Sequence, residues 1–293
     1  MIYVVYGLII FICLFIIIHL IAFIIFKRNF VPILMYHRVT DDVKPKELRY
    51  IEHKGSTLDL DSMKVKVDVF NKQMEYLKKK GYKTKHLSKE IINKEKKTVY
   101  LTFDDGYSDN YEFAYPILKQ YNFQAVFFLT AGIIDKNEFM PIDENDKRKE
   151  NRLLTWDEAK EMVNGGMQLG AHTLNHIWLT NDDVNIEEEI VGSKRLIEER
   201  LKISVNTFAY PAGMYNEKAV EIVRNNFECA VITSRGSDFP NNNKDPYLLE
   251  RETISSSDSM FMFKLKLFGI HRFLRKLKWL NKLRGVIKWL LRR

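Results

Sequence analysis

The run Val99–Tyr107, VYLTFDDGY, constrains this chain more than any other stretch. Its first part, Val99–Phe103, is apolar, β-branched or aromatic, which predicts a short buried strand. Two carboxylates follow, Asp104 and Asp105. Successive side chains of a strand point to opposite sides, so a straight strand would separate them. Gly106 can adopt backbone angles that other residues avoid, and we predict that the chain turns there and brings both carboxylates into one pocket.

Adjacent carboxylates are unfavourable for stability, because like charges repel and burial of charge is costly. They suit a site in which one acid binds a cation and the other transfers protons. An acidic turn after a strand explains the same residues equally well. The acid pair alone therefore leaves both interpretations open.

A second apolar run, Met167–Ala171, precedes a pair of histidines, His172 and His176. Their i, i+4 spacing predicts two imidazoles on one side of a helical turn. Two imidazoles and one carboxylate would form a metal-ligand set with positions open for water and substrate. A histidine pair at this spacing is also common among ordinary surface and core residues.

A third strand-like run, Thr207–Tyr215, ends in a turn punctuated by Pro211 and Gly213. Turns of this kind can aim backbone N–H groups at a ligand. An ordinary turn is the alternative.

Taken in order, the motifs TFDDGY, HTLNH and FAYPAG resemble the first three motifs of the polysaccharide deacetylases, also called the NodB-homology domain. VPILMYHRV at Val31–Val39 adds to the resemblance, which extends to Ile254. The resemblance implies a distorted (β/α) barrel of about seven parallel strands, with each motif at a strand's carboxyl end. It also implies a divalent metal, usually zinc, and removal of acetyl groups from carbohydrate, most often N-acetylglucosamine.

The resemblance assigns roles to individual residues. It implies that the metal is held by Asp105, His172 and His176. Asp104 would be the base that takes a proton from water, and the backbone N–H of Ala212 would stabilise the oxyanion.

The sequence departs from the family in two motifs, the third motif and the late one. Many relatives carry an arginine that contacts the base, at the position of Ala209 here, and an aromatic residue at the position of Ala212. The late Leu-x-His motif that supplies the general acid is also missing, because the last histidine, His271, lies in a basic tail. We predict that His37, at the end of the first strand, takes over as the acid; a strand-end histidine bonded to backbone is the alternative.

Three further residues are predicted to shape a sugar pocket, Tyr107, Tyr210 and Pro211, although all three are equally explained as ordinary barrel residues. The early histidine and the third motif are similar to those of the poly-N-acetylglucosamine de-N-acetylase branch. Elsewhere, Val39–Met63 is predicted to be irregular, and the charged stretch Ile134–Arg152 to be a long loop over the mouth of the site.

The N-terminal segment Met1–Phe26 contains no Asp, Glu, Lys or Arg. A helix of this length reaches about 39 Å, more than the ~30 Å hydrocarbon core of a bilayer, so we predict a membrane anchor over 1–28. Lys27 and Arg28 favour a cytoplasmic domain by the positive-inside tendency. Anchored relatives usually work outside the membrane, and we expect an extracytoplasmic domain on that ground.

The C-terminal segment 259–293 has eleven Lys or Arg residues and no acidic residue, so it accounts for the net charge of +8. Apolar residues recur in it at helical spacing, which predicts a basic amphipathic helix on an anionic membrane surface. A helix packed on the barrel is the alternative. We expect no nucleic-acid partner, since nothing else in the chain supports one.

These observations predict three parts: a transmembrane anchor (1–28), a catalytic domain (29–258) and a basic tail (259–293). The expected function is metal-dependent hydrolysis of N-acetyl groups on an N-acetylglucosamine polymer, either exopolysaccharide or peptidoglycan. A deacylase of a lipid-linked amino sugar is an alternative, as is a catalytically inactive carbohydrate-binding or scaffold protein.

Overall fold

A computed structural model describes residues 2–53, 56–92, 95–180, 183–233 and 245–276 of the chain. Within these ranges the strands are β1 (Ile33–Tyr36), β2 (Arg38–Val39), β3 (Tyr50–His53), β4 (Ser56–Asp59), β5 (Lys64–Val65), β6 (Lys83–Thr84), β7 (Thr98–Phe103), β8 (Val126–Leu129), β9 (Gln168–Ala171), β10 (Thr207–Ala209), β11 (Cys229–Thr233) and β12 (Leu249–Thr253). The helices are α1 (Ile2–Asn29), α2 (Lys46–Arg49), α3 (Val67–Lys79), α4 (Tyr115–Tyr121), α5 (Ala131–Lys136), α6 (Trp156–Asn164), α7 (Ser193–Leu201), α8 (Glu217–Asn226), α9 (Met260–Leu267) and α10 (Ile270–Lys276).

Seven parallel strands close into a barrel in the order β1, β12, β11, β10, β9, β8 and β7, and β7 pairs back with β1. The short strand β6 adds to the first residues of β7. From β1 to β11, helices connect the consecutive barrel strands, because parallel neighbours need a crossover connection. The predicted α/β barrel of about seven parallel strands is confirmed.

The strand residues divide between two apolar clusters, as expected when successive side chains face opposite sides. In β7, Leu101 and Phe103 belong to the large cluster packed under the helices, whereas Tyr100 belongs to the smaller cluster inside the barrel. Asp104 continues the inward series of Tyr100 and Thr102. The alternation of β7 therefore points Asp104 into the barrel at its carboxyl end.

The helices bury one face each. Phe70, Met74 and Leu77 of α3 are buried, and the left-handed Gly81 (φ +72°) follows the helix end, as the sequence pattern predicts. The helix α6 begins with a capping box, in which Thr155 and Glu158 satisfy each other's backbone N–H groups. These helices hold the barrel from outside and leave its carboxyl end to the loops.

The stretch predicted to be irregular, Val39–Met63, is partly ordered into short strands. β2 pairs with β5, and β3 pairs with β4 as an antiparallel hairpin, both apart from the barrel sheet. The sequence pattern missed this pairing, because strands of two to four residues with polar side chains give little apolar alternation.

The stretch predicted to be a long loop, Ile134–Arg152, contains the end of α5 and two short 3₁₀ turns. Two of its charged residues, Asp143 and Asp146, are buried, whereas the others are exposed or half-buried. Lys44 Nζ lies 2.7 Å from Asp143 Oδ1 and 2.8 Å from Asp146 Oδ2, and all three side chains are almost fully buried. The Tyr107 hydroxyl donates a hydrogen bond of 2.6 Å to Asp143. This segment is therefore fixed to Lys44 by ion pairs and to Tyr107, which follows β7, by a hydrogen bond.

The N-terminal segment is helical from Ile2 to Asn29. Over the part of the chain that the structure describes, no helix has the length and apolar character needed to cross a membrane.

The described part of the basic tail packs on the barrel. Phe263 and Leu267 of α9 are buried in the main core. In α10, Arg272 is buried and lies 2.7 Å from Glu252 and 3.2 Å from Glu250 on β12. The packing of residues 260–276 agrees with the packed-helix alternative. Residues 277–293 lie outside the described part, and their membrane-surface role stays a prediction.

Candidate metal and catalytic centre

The turn after β7 begins one residue earlier than predicted. Asp105 itself has φ +74°, and Gly106 follows with φ +84°. The Asp104 N–H donates to the Tyr36 carbonyl (3.0 Å), so Asp104 is still held as a strand residue. The two successive left-handed residues, Asp105 and Gly106, reverse the chain direction. The carboxylates of Asp104 and Asp105 therefore lie at the same end of the barrel.

Three predicted metal ligands converge at this end. His172 Nε2 lies 3.5 Å from Asp105 Oδ1, and His176 Nε2 lies 3.3 Å from the same atom. One ligand atom from each of the three residues lies within 4.8 Å of the others. This is the grouping that the sequence predicts.

The histidine segment is not helical, so the prediction of a helical turn at His172–His176 is wrong. β9 ends at Ala171, and Thr173 (φ +65°) and His176 (φ +55°) are left-handed. The Thr173 and Leu174 carbonyls accept hydrogen bonds from the first backbone N–H groups of α5 rather than from a helical turn. The i, i+4 spacing brings the imidazoles together through a loop, because tertiary hydrogen bonds override the local preference.

The ring of His172 is oriented for metal binding. Its Nδ1 lies 2.7 Å from the Ala209 carbonyl, which can only accept, so Nδ1 carries the proton and Nε2 is left to a ligand. Such an outer hydrogen bond is usual for a metal-binding histidine. Two imidazole nitrogens and one carboxylate oxygen therefore fit a divalent cation.

The electrostatics of the cluster favour positive charge. Burial raises the pKa of Asp105, but hydrogen bonds from His172 and His176 lower it more, and the net pKa lies well below its usual range. Burial lowers the pKa of His172, whereas the hydrogen bond to Asp105 and the charge of Asp104 raise it, and the net pKa is raised. The negative charge of the two carboxylates would stabilise a divalent cation in the same way.

Asp104 is paired with a residue that the sequence reasoning missed. Arg251 on β12 donates two hydrogen bonds to its carboxylate, at 2.6 Å and 2.7 Å, and both side chains are buried. Burial raises the pKa of Asp104, but the Arg251 guanidinium and His172 lower it more, and the net pKa is below its usual value. The run Leu249–Thr253 contains the sequence signal that could have identified Arg251. Strand alternation places Arg251 on the same side as Leu249, which faces the inside of the barrel.

His37 lies directly after β1, at the same end of the barrel. The Asn110 side-chain amide donates to its carbonyl (2.9 Å), and its Nδ1 is buried without a hydrogen-bond partner among the described residues. Burial raises the pKa of both Asp104 and Asp105. Positive charge on His37 is one of the interactions that lower these two pKa values. His37 is therefore within electrostatic reach of both carboxylates.

The remaining predicted residues take the following positions. Ala212 is left-handed (φ +53°) within the turn Pro211–Gly213, and its role as an oxyanion-hole donor stays a prediction. Tyr107 and Tyr210 are 1% and 0% exposed, and Pro211 is buried as well. Because the Tyr107 hydroxyl is bonded to Asp143, this tyrosine has a packing role, and sugar contact by these three residues stays a prediction.

The chain resembles known proteins in sequence. A family model described as polysaccharide deacetylase matches residues 92–226. YxkH of Bacillus subtilis (strain 168), which is named for polysaccharide deacetylation, is 28% identical over 232 residues, covering 76% of this chain and 71% of that protein. The poly-beta-1,6-N-acetyl-D-glucosamine N-deacetylase of Staphylococcus aureus (strain MSSA476) is 26% identical over 215 residues, covering 68% of this chain and 70% of that enzyme.

The fold is also similar to a solved structure. The Streptococcus pyogenes deacetylase PplD, in complex with acetate, superposes with a TM-score of 0.64 at 28% identity. The similarity covers 81% of this chain and 97% of PplD.

Proposed function

We propose that the chain hydrolyses N-acetyl groups of a polymer containing N-acetylglucosamine, because its residues 92–226 match the family model described as polysaccharide deacetylase. The observation that carries the proposal is the convergence of Asp105, His172 and His176 beside the paired carboxylate Asp104. The named activity of the Staphylococcus aureus relative supports N-acetylglucosamine as the sugar. The polymer is proposed to be an exopolysaccharide or peptidoglycan.

We propose that Asp105, His172 and His176 hold a divalent cation, with Zn²⁺ as the first candidate because zinc accepts imidazole and carboxylate ligands. Such a cation lowers the pKa of water and polarises a carbonyl oxygen. The hydrogen bond from His172 Nδ1 to Ala209 keeps the opposite nitrogen available for this task.

Asp104 is proposed as the base that accepts a proton from the attacking water. The paired guanidinium of Arg251 keeps the carboxylate ionised and holds both of its oxygens. The backbone N–H of Ala212 is proposed to stabilise the oxyanion that develops on the acetyl oxygen. The departing amine needs a proton, and His37 is proposed to donate it.

We also propose that the N-terminal segment 1–28 attaches the protein to the cell membrane, with the domain outside. Support comes from the uncharged sequence Met1–Phe26. The basic residues of 259–293 would add attraction to anionic lipid. A lipid-linked amino sugar stays the second candidate substrate, since a membrane-attached enzyme would meet one.

The test is acetate release by the purified full chain from N-acetylglucosamine oligomers and from lipid-linked amino sugars. We expect release from the oligomers, loss of activity with a chelator and recovery with Zn²⁺. His172→Ala should lose both metal and activity, whereas Asp104→Asn should retain metal and lose turnover, because an amide cannot accept the proton.

Two results would contradict the proposal. Wild-type metal content and activity in His172→Ala would disprove the proposed metal site. A metal-loaded protein that binds the sugars and releases no acetate would favour the inactive carbohydrate-binding alternative.

A further inference from the structure

The two histidine ligands are held in different ways. The His172 ring is fixed by the Ala209 carbonyl, and its side chain is 2% exposed. The His176 side chain is 26% exposed. Apart from Asp105, the described residues give the His176 ring no hydrogen-bond partner. The position of His176 therefore depends on the backbone of its loop.

That loop adopts a conformation that needs external support. Thr173 and His176 have φ +65° and +55°, which residues with a Cβ rarely adopt. Gly132 N–H donates to the Leu174 carbonyl (2.9 Å), and a Cβ on Gly132 would stand 2.8 Å from that oxygen. The loop is thus held on one side by α5, where only glycine fits.

Glu189 holds the loop on its other side. Its Oε2 accepts hydrogen bonds of 3.0 Å from the backbone N–H groups of both Leu174 and Asn175. Its Oε1 accepts a hydrogen bond of 2.6 Å from the Asn175 side-chain amide. Glu189 is 7% exposed, so this carboxylate is buried among donors of the loop that leads into His176.

We propose that Glu189 is a positioning residue for the metal site, which fixes His176 by holding the backbone of Leu174 and Asn175. A buried carboxylate with three N–H donors is strongly held, because charge-assisted hydrogen bonds are shorter and stronger than neutral ones. The inference rests on the proposed metal site.

The structure also gives Glu189 a specific place on its own element. Glu189 lies in a π-helical turn, Glu188–Gly192, directly before α7. A Cβ on Gly192 would lie 3.0 Å from Leu174 Cδ1 and 2.6 Å from Glu188 Oε1. The turn therefore packs directly against Leu174, which Glu189 also contacts through its hydrogen bond to the Leu174 N–H.

The test compares Zn²⁺ affinity, by chelator competition, in the purified full chain and its variants. Loss of an outer-shell partner weakens metal binding by about 10- to 100-fold, and we expect this for Glu189→Ala. Hydrogen exchange at residues 174–176 in chelator-treated protein should rise in the same variant. Co²⁺ spectra report the ligand geometry and should change as well.

A rescue separates positioning from general packing. Glu189→Gln keeps an oxygen for the two backbone N–H groups, and the Asn175 amide can turn to present its own oxygen to the new NH2 group. We therefore expect Glu189→Gln to recover part of the affinity that Glu189→Ala loses. Glu188→Gln is the matched control, because Glu188 pairs with Arg195 on the surface. This variant protein should bind Zn²⁺ with wild-type affinity.

The outcomes are distinct. Wild-type affinity and Co²⁺ spectrum in Glu189→Ala, even with a lower melting temperature, would overturn the positioning role. Absence of metal binding in the wild type would overturn the metal site and this inference together. Metal binding without acetate release would overturn only the proposed activity.

Discussion

Arg251 and Asp104 form a buried, bidentate ion pair inside the barrel, with N–O distances of 2.6 Å and 2.7 Å. Arg251 also donates to Thr102 Oγ1 at 3.1 Å, and its side chain is fully buried. Many relatives carry an arginine for the base at the position of Ala209. Here the last barrel strand, β12, supplies an arginine to the same carboxylate.

Replacement of Arg251 should change the pH dependence of catalysis. In Arg251→Met, Asp104 loses the guanidinium that lowers its pKa while burial still raises it, so the acidic limb of the kcat/KM profile should move to higher pH. The unpaired buried charge should also cost about 3–5 kcal/mol of unfolding free energy. Arg251→Lys should be intermediate, because a lysine keeps the charge but not the paired hydrogen bonds.

The control is Arg224→Met, which removes a surface pair with Asp245. It should leave the profile unchanged. An unshifted acidic limb in a folded Arg251→Met protein would show that Arg251 supports the barrel and not the base.

His37→Ala should separate amide from ester substrates. An amine leaving group needs a proton, so acetamide hydrolysis should fall by about 10²- to 10⁴-fold, the usual contribution of an acid–base group. An activated aryl acetate should lose much less, because its leaving group departs without a proton. Metal content should be unchanged. Equal losses on both substrates would indicate a structural role for His37.

Lys44→Met should destabilise the segment that carries Asp143 and Asp146. Removing the buried ammonium leaves two carboxylates close together without this partner, and we expect a loss of about 3–5 kcal/mol in denaturant unfolding. Protease cleavage within residues 141–152 should become faster.

The control is Lys72→Met, which removes an exposed ion pair with Asp68 on a helix. This substitution should lower the unfolding free energy by at most ~0.5 kcal/mol. Equal costs in the two variants would argue against a fixed segment.

Acid should weaken the docking of α10 through Glu252. Burial raises the pKa of Glu252, but the hydrogen bond from His271 and the charge of Arg272 lower it more, from 4.5 to about 2. A lowered carboxyl pKa contributes stability that is present above the unfolded value and is lost as pH falls through the folded value. The unfolding free energy should therefore fall between about pH 4.5 and about pH 2.

In Glu252→Gln this part of the pH dependence should be absent, and the variant should be less stable at neutral pH. Glu228→Gln, at an exposed position, should retain the wild-type slope. An identical slope in Glu252→Gln would assign the acid sensitivity to other carboxylates.

Much of the site follows from the sequence. The strand before Asp104, the turn after it and the strand before His172 depend on local side-chain pattern and turn chemistry, which neighbouring residues specify. The alternation of strands and helices over Val31–Ile254 gives the parallel barrel, and parallel strands bring their carboxyl ends to one edge. The resemblance of the three motifs then assigned Asp105, His172 and His176 as the ligand group before its geometry was known.

The partners of these residues depend on the closed barrel. Asp104 and Arg251 are 147 residues apart, and they meet because β7 and β12 both pair with β1 in a fixed register. The loop at His176 is non-helical because α5 and Glu189 bind its backbone, and no local pattern encodes those hydrogen bonds. Local sequence specifies which elements form, whereas the partner of a buried charge is set by register and closure across the whole chain.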